Sequence, residues 1–279
     1  MVKFLKRSYI YLVFAFLYMP IAVLMVYSFN DSRSRGVWGG FTLRWYVELF
    51  QDRTIMSSLY STMLIGVVSA LVATVIGTLA AIGIHNSRGL QKKVIMNITY
   101  LPVLNPEIVT AISLMILFVF AKVRLGYLTL LLAHITFNIP YVILSVLPKL
   151  RQLNKHLYEA ALDLGSTPVQ ALWKVIIPEI MPGIITGLLL AFTLSIDDFV
   201  ISFFTTGSGV STLSITIYSM ARRGINPKIN ALSTIMFTFV LLLLIVVNVR
   251  QAREEKKGRN GKHGAKKQIS SFGTGFGGA

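Results

Sequence analysis

The chain has 279 residues, 54% of them hydrophobic and 14% charged, with a mean hydropathy of +0.68. Soluble domains carry about 25% charged residues, so a single water-soluble core is excluded and a polytopic membrane protein is indicated. The net charge of +16 does not point to nucleic acid, because the basic residues flank hydrophobic runs and no binding module accompanies them, and the lack of cysteine excludes disulfides and thiolate metal sites.

Lys3, Lys6 and Arg7 precede an apolar run over 9–29. A run of about twenty residues crosses a bilayer and exceeds the core of a cleaved leader. It is predicted as the first transmembrane helix and not as a signal peptide. Segment 30–55 is predicted to lie outside. Its stretch FTLRWYVELF at 41–50 mixes Trp45, Tyr46, Leu49 and Phe50 with Arg44 and Glu48. That pattern suits a short surface helix or an aromatic belt at the membrane boundary. Further spans are predicted at 56–84, 94–121, 127–147, 182–204 and 230–249. The runs are continuous rather than alternating, and a lipid-exposed backbone must satisfy its own hydrogen bonds, so all six are expected to be helices. The predicted fold class is therefore all-α, a six-helix membrane domain over 1–249. A basic tail, 250–279, without periodicity, is expected to be disordered.

Only 11 acidic residues are present, and Glu107, Asp197 and Asp198 fall inside predicted spans. A charged carboxylate at the bilayer centre costs about 2.5 kcal/mol or more, so each should face a cavity, a partner or a substrate. Glu107 follows Pro102 and Pro106, which are expected to kink or break the third span. Irregular backbone at that depth is tolerated where it lines a pathway. Consecutive helix residues point about 100° apart, so Asp197 and Asp198 cannot face one spot. Asp197 is assigned to the pathway and Asp198 to a helix neighbour or hydroxyl. Fixed carboxylates in a wet passage favour cations. Phe199, Phe203, Phe204 and Tyr218 offer faces for cation–π contact. Taken singly, each of these residues has a competing reading as structural packing.

The longest inner connection, 148–181, has an ordered pattern. Tyr158, Ala161, Leu162 and Leu164 give an apolar side to a short helix, and Gly165 interrupts it. Ser166-Thr167-Pro168 reads as a fresh helix start, with Ser166 or Thr167 as cap and Pro168 in the first turn. Val169, Leu172, Trp173 and Ile176 continue at helical spacing. Pro178 and Pro182 are predicted to stop this second helix before the fifth span. Two short helices joined by a sharp turn serve either as a docking surface or as packing for the bundle. In the outer loop 205–229, Arg222, Arg223 and Lys228 are read as solvated or as salt-bridging a delivery protein. His85, His134, His156 and His263 are scattered without metal-ligand spacing and are read as packing or interface residues.

With the N-terminus inside, Lys and Arg on inner segments outnumber those on outer segments two to one. That places both termini in the cytoplasm. The excess rests on the tail, where Arg250 to Lys267 hold eight of the 27 basic residues. No G-x-x-x-x-G-K-[ST] phosphate loop is present, so any ATP hydrolysis belongs to another chain.

Glu159-Ala160-Ala161, three residues, Gly165, nine residues, Val175, one residue and Ile177-Pro178 resemble the EAA loop of ABC-importer permeases. That family pattern ends in Ile-x-Leu-Pro, so Val175 and Ile177 are conservative departures. The stretches at 17–33, 40–50, 105–118, 134–143, 192–207 and 217–235 resemble the second, C-type permease subunits of spermidine/putrescine ABC importers. This likeness covers nearly the whole chain apart from the tail. It implies that the loop is a coupling helix seated in a groove of a cytoplasmic ATPase, with Glu159, Ala160, Ala161, Gly165 and Pro178 at the contact. It implies a polyamine pathway through Glu107, Asp197, Asp198, Phe199, Tyr218 and Trp45, with Trp45 near an outer gate. It also implies a distinct second permease subunit, two copies of an ATPase using ATP and Mg, and a periplasmic or external binding protein. By the same resemblance the chain binds no cofactor, is not an enzyme and lies in a bacterial inner membrane. An ion-coupled carrier and a passive cation channel are the competing classes. The loop and the lack of repeats or a filter sequence tell against them. Another small cationic solute is the alternative cargo, and the acids disfavour an anion.

Overall fold

The computed structural model describes residues 2–32, 37–154, 156–223, 227–242, 244, 245 and 249. Its elements in chain order are α1 (Val2–Tyr27), α2 (Arg44–Gln51), α3 (Arg53–Asn86), α4 (Gly89–Leu104), α5 (Glu107–Phe120) and α6 (Tyr127–Gln152). There follow α7 (His156–Asp163), α8 (Pro168–Ala171), a π-helical turn (Leu172–Ile176), α9 (Ile177–Asp197), α10 (Val200–Thr205), α11 (Leu213–Arg223) and α12 (Pro227–Leu242). Among the described residues there is no strand, and one isolated bridge joins Asn30 to Phe41. The chain divides into two units, Met1–Ala231 and Leu232–Ala279; the packing that follows is that of the first.

α3, α6 and α9 pack on one another and form its centre. α3 lays small residues along its buried side, among them Ser58, Thr62, Gly66, Ser69, Ala73, Gly77 and Ala81. In a membrane, where lipid removes the hydrophobic drive between helices, such residues let backbones approach closely. Gly77 shows the limit: a Cβ there would lie 2.8 Å from the Val142 side chain of α6. Larger side chains fill the rest of the core, including Val142, Val146, Leu150 and Ile180. A second cluster joins α5, α6 and α10 through Ala111, Phe118, Ala133, Phe137 and Ile201. α1 stands apart, with none of its Ser8–Tyr27 window buried.

Four helices are long and apolar enough to cross a membrane: Ser8–Tyr27, Arg53–Asn86, Tyr127–Gln152 and Pro168–Asp197. The pair α4 and α5, bent by 106°, makes a fifth if counted as one span. The predicted count of six is therefore not reproduced among the described residues. The predicted sixth span overlaps Pro227–Leu242, which is shorter, and the tail 250–279 lies outside the described residues. The fifth span also differs from its expected bounds. Pro178 and Pro182 do not stop the loop helix, which runs unbroken into the membrane as a 30-residue stretch from Pro168 to Asp197. The reason is the π turn, in which the Ile177 N–H bonds the Leu172 carbonyl five residues back. That wider turn gives room to a residue with no N–H to donate, Pro178. At the other end the helix stops at Asp197, short of the predicted 204.

Candidate functional site

Two helix breaks bring the intramembrane acids together. At the first, Pro106 holds Asn105 in extended backbone (φ −78°, ψ 148°), and α5 restarts with Glu107 as its first residue. At the second, α9 ends on Asp197, Asp198 is extended (φ −61°, ψ 127°), and α10 begins at Val200. α5 packs on α10. Glu107 thereby has Asp198 within side-chain hydrogen-bonding range and Asp197 as a second charged neighbour. Glu107 and Asp197 are exposed, whereas Asp198 is buried at 6%. Among the described residues no group of three His, Asp or Glu side chains is gathered as ligands of one metal ion.

Asp198 is held from several sides. One carboxylate oxygen accepts the Ile201 N–H at 3.1 Å and the other accepts the Ser202 N–H at 2.7 Å, which caps α10. Its carbonyl accepts the Ser214 hydroxyl of α11 at 2.6 Å. From α6, His134 Nε2 stands 3.4 Å from the carboxylate and 3.1 Å from Ser202 Oγ. One turn further along α6, Asn138 donates to Ser195 Oγ at 2.7 Å, and Ser195 lies 3.1 Å from Ser69 of α3.

Beside this break lies an aromatic group. Phe199 meets Tyr218 at 4.7 Å between ring centroids and Phe203 at 5.4 Å. Tyr218 stays 43% exposed, with the Arg222 guanidinium 5.8 Å over its ring. Ser214 and Tyr218 share one side of α11, the side toward the acids. A different side carries Thr216, Ser219, Met220 and Arg223, which line a cavity of about 690 Å³.

Trp45 belongs to that cavity and not to the acidic group. It is buried at 2%, its Nε1–H donates to the Asn30 carbonyl at 2.8 Å, and Arg44 covers its ring at 4.3 Å. An aromatic belt would leave the ring at the lipid boundary, so the belt reading does not describe Trp45. Lys228 reaches Asp52 at 3.3 Å and Glu48 at 3.8 Å on the same cavity wall, so it is not a bare solvated charge.

The loop after α6 is built as two helices. Gly165 takes φ +85°, Gly165 N–H bonds the Leu162 carbonyl, and Ser166 N–H bonds that of Ala161, a left-handed helix end that favours glycine. Thr167 and Gln170 then form a reciprocal capping box that starts α8. Glu159, Ala160 and Pro178 are exposed, Glu159 pairing with His156 at 3.1 Å, while Ala161 is buried. Leu164, Val169 and Trp173 are 88%, 65% and 63% exposed. So large an apolar surface around the loop and the start of the Pro168–Asp197 helix suits contact with another protein.

Sequence reasoning missed three things here. His134 is read there as a packing or interface residue, with no sign that it stands beside Asp198. α11 stands inside the predicted outer loop 205–229, although Leu213, Thr216 and Met220 repeat at helical spacing. The uninterrupted helix from Pro168 to Asp197 was hidden by its prolines.

Residues 73–257 match the family described as binding-protein-dependent transport system inner membrane component. The chain is 37% identical over 259 residues to the spermidine/putrescine transport system permease protein PotC of Escherichia coli K12, covering 93% of this chain and 98% of that one. It is 40% identical over 253 residues to the putrescine transport system permease protein PotI of the same organism, covering 88% and 89%. Among solved structures, a chain of a bacterial alginate ABC transporter bound to its periplasmic protein shares the fold. The TM-score is 0.67 at 18% identity, over 89% of this chain and 91% of that one.

Proposed function

The chain belongs to the family of binding-protein-dependent transport system inner membrane components, and from that premise we propose that it forms half of the passage of an ATP-driven polyamine importer. It is a multi-pass permease subunit of an ABC importer in the inner membrane. The observation that carries the polyamine reading is the gathering of Glu107 and Asp198 at two helix breaks, with Asp197 as a second neighbouring charge, beside Phe199 and Tyr218. The names of the relatives support the same cargo.

The chemistry fits an elongated cation. Broken helices present backbone ends to a substrate, and a helix C-terminus, here that of α9, favours positive charge. Asp197 and Glu107 add fixed negative charge around it. Ammonium groups hydrogen-bond to the carboxylates, and the methylene run between them lies on the Phe199 and Tyr218 rings. Asp198 shapes the break. Trp45 lines the outer cavity, from which cargo enters.

The energy source is another chain. One of two copies of an ATPase, using ATP and Mg, docks on α7 and α8, where Glu159, Ala160, Ala161, Gly165 and Pro178 form or flank the contact with Leu164, Val169 and Trp173. A second, distinct permease subunit completes the passage, and an external binding protein delivers the polyamine. Both termini are cytoplasmic. The Pro168–Asp197 helix, about 45 Å long at ~1.5 Å per residue, links the docking surface to the pathway carboxylate, so a movement of the ATPase reaches Asp197 through one rod.

Uptake of labelled spermidine into vesicles holding the assembled transporter tests the pathway. Each carboxylate lost removes a charge-assisted hydrogen bond, so Glu107→Gln with Asp197→Asn is expected to lower uptake by about tenfold or more, with assembly unchanged. Normal uptake by the double variant sinks the pathway assignment. Competition by a different small cation, but not by spermidine or putrescine, moves the cargo to that solute.

A further inference from the structure

His134 lies on the buried side of α6 and is 1% exposed. Its Nε2 faces the Asp198 carboxylate and Ser202 Oγ. Its Nδ1 has no hydrogen-bond partner among the described residues. A ring proton goes where it finds an acceptor. Nε2 therefore carries its hydrogen toward Ser202 Oγ, with the Asp198 carboxylate 3.4 Å away.

The source of each donor to that carboxylate decides what His134 does. A buried carboxylate needs hydrogen bonds to remain in place. Two of its donors, the Ile201 and Ser202 N–H groups, belong to the α10 segment that Asp198 itself begins. They travel with the break wherever it goes. His134 comes from α6, which is packed on both α3 and α9. Through Ser202, whose N–H holds the carboxylate, it ties the break to the centre of the bundle. Only Asp198 and Phe199 separate α9 from α10. The backbone angles of these two residues set where Asp197 and the Phe199 ring point.

We infer that His134 is a positioning residue: by holding Ser202 against Asp198 it sets the α9–α10 break so that the Asp197 carboxylate faces the passage. This rests on the reading of Asp197 as a pathway residue. A histidine that merely filled space would not need its Nε2 aimed at Ser202 Oγ, beside the one acid that is buried among the described residues, and a similarly bulky apolar side chain would do as well.

The lack of cysteine makes a direct test available. Asp197→Cys introduces one thiol into this chain, and its rate of modification by a small cationic methanethiosulfonate reports whether position 197 faces water. The measurement is made on the assembled transporter in liposomes and read on this chain by mass spectrometry. It needs no transport. With His134 intact, the thiol is expected to react. In the His134→Ala background the rate is expected to fall about fivefold or more, a loss of side-chain preorganisation. His134→Gln, whose amide nitrogen reaches the place of Nε2, keeps the rate within about twofold, whereas the shorter His134→Asn behaves as Ala. Should the Ala variant not assemble, the Gln and Asn pair decides, since both are polar and only Gln reaches the place of Nε2 beside Ser202. Equal rates in all assembled variants overturn the positioning role and leave the pathway reading standing. No modification even with His134 intact overturns both.

Discussion

At the scale of single residues, neighbours in sequence take opposite roles for reasons of geometry. Asp197 and Asp198 are chemically identical, yet the first ends a helix in the open and the second is buried as the cap of the next. That they diverge was legible in the sequence, because consecutive helix positions cannot share a direction. The physical means of burial was not, since the carboxylate is covered by a side chain 64 positions away, His134, at 3.4 Å. Gly165 was legible in full: it interrupts an apolar pattern just before a Ser-Thr-Pro start, and its φ of +85° is one that L side chains rarely adopt. Gly165→Val is expected to cost about 1–2 kcal/mol locally and to loosen the α7–α8 turn. Spermidine uptake per ATP hydrolysed should fall while the amount of assembled complex stays the same. Unchanged coupling would show that the turn's shape is not read by the ATPase.

At the scale of elements, close approach dominates. α3 and α6 meet where Gly77 faces Val142, with no room for a β-carbon. Gly77→Val is expected to destabilise the purified protein by about 1–3 kcal/mol through overpacking, read as a lower thermal midpoint in detergent, with Gly77→Ala intermediate. A midpoint unchanged by both substitutions would mean that the two helices separate at little cost. The small-residue stripe of α3 is plain in the sequence, but which helix it faces is not, because serine, glycine and alanine carry no mark of their partner. The α8–α9 rod shows the converse. Proline was read as a stop, since it lacks a donor and crowds the preceding turn. The π turn at Leu172–Ile176 relieves that conflict by changing the bonding pattern, and no local pattern in the sequence announces such a change.

At the scale of the whole molecule, membrane insertion, helical architecture and the two-sided plan follow from composition and charge. The sidedness has a direct test in the cysteine-free chain. A single thiol from Leu164→Cys is expected to react with an impermeant reagent only from the cytoplasmic side, and one from Arg223→Cys only from outside. Labelling from the reverse sides would invert the topology and remove α7 and α8 from the reach of an ATPase. The sequence by itself determined that the chain crosses a membrane in helices, that an ordered loop interrupts them, and that three carboxylates sit where lipid would penalise them. Those conclusions rest on local quantities: hydropathy over some twenty residues, turn chemistry and the cost of charge. Only the tertiary structure decided that Glu107 comes to the Asp197–Asp198 break, that Trp45 turns away into a cavity behind α11, that His134 stands beside Asp198, and that one helix joins the loop to the acids. Each of these depends on two breaks and a bend of 106° bringing distant segments together, and packing between helices, not propensity within them, sets that geometry.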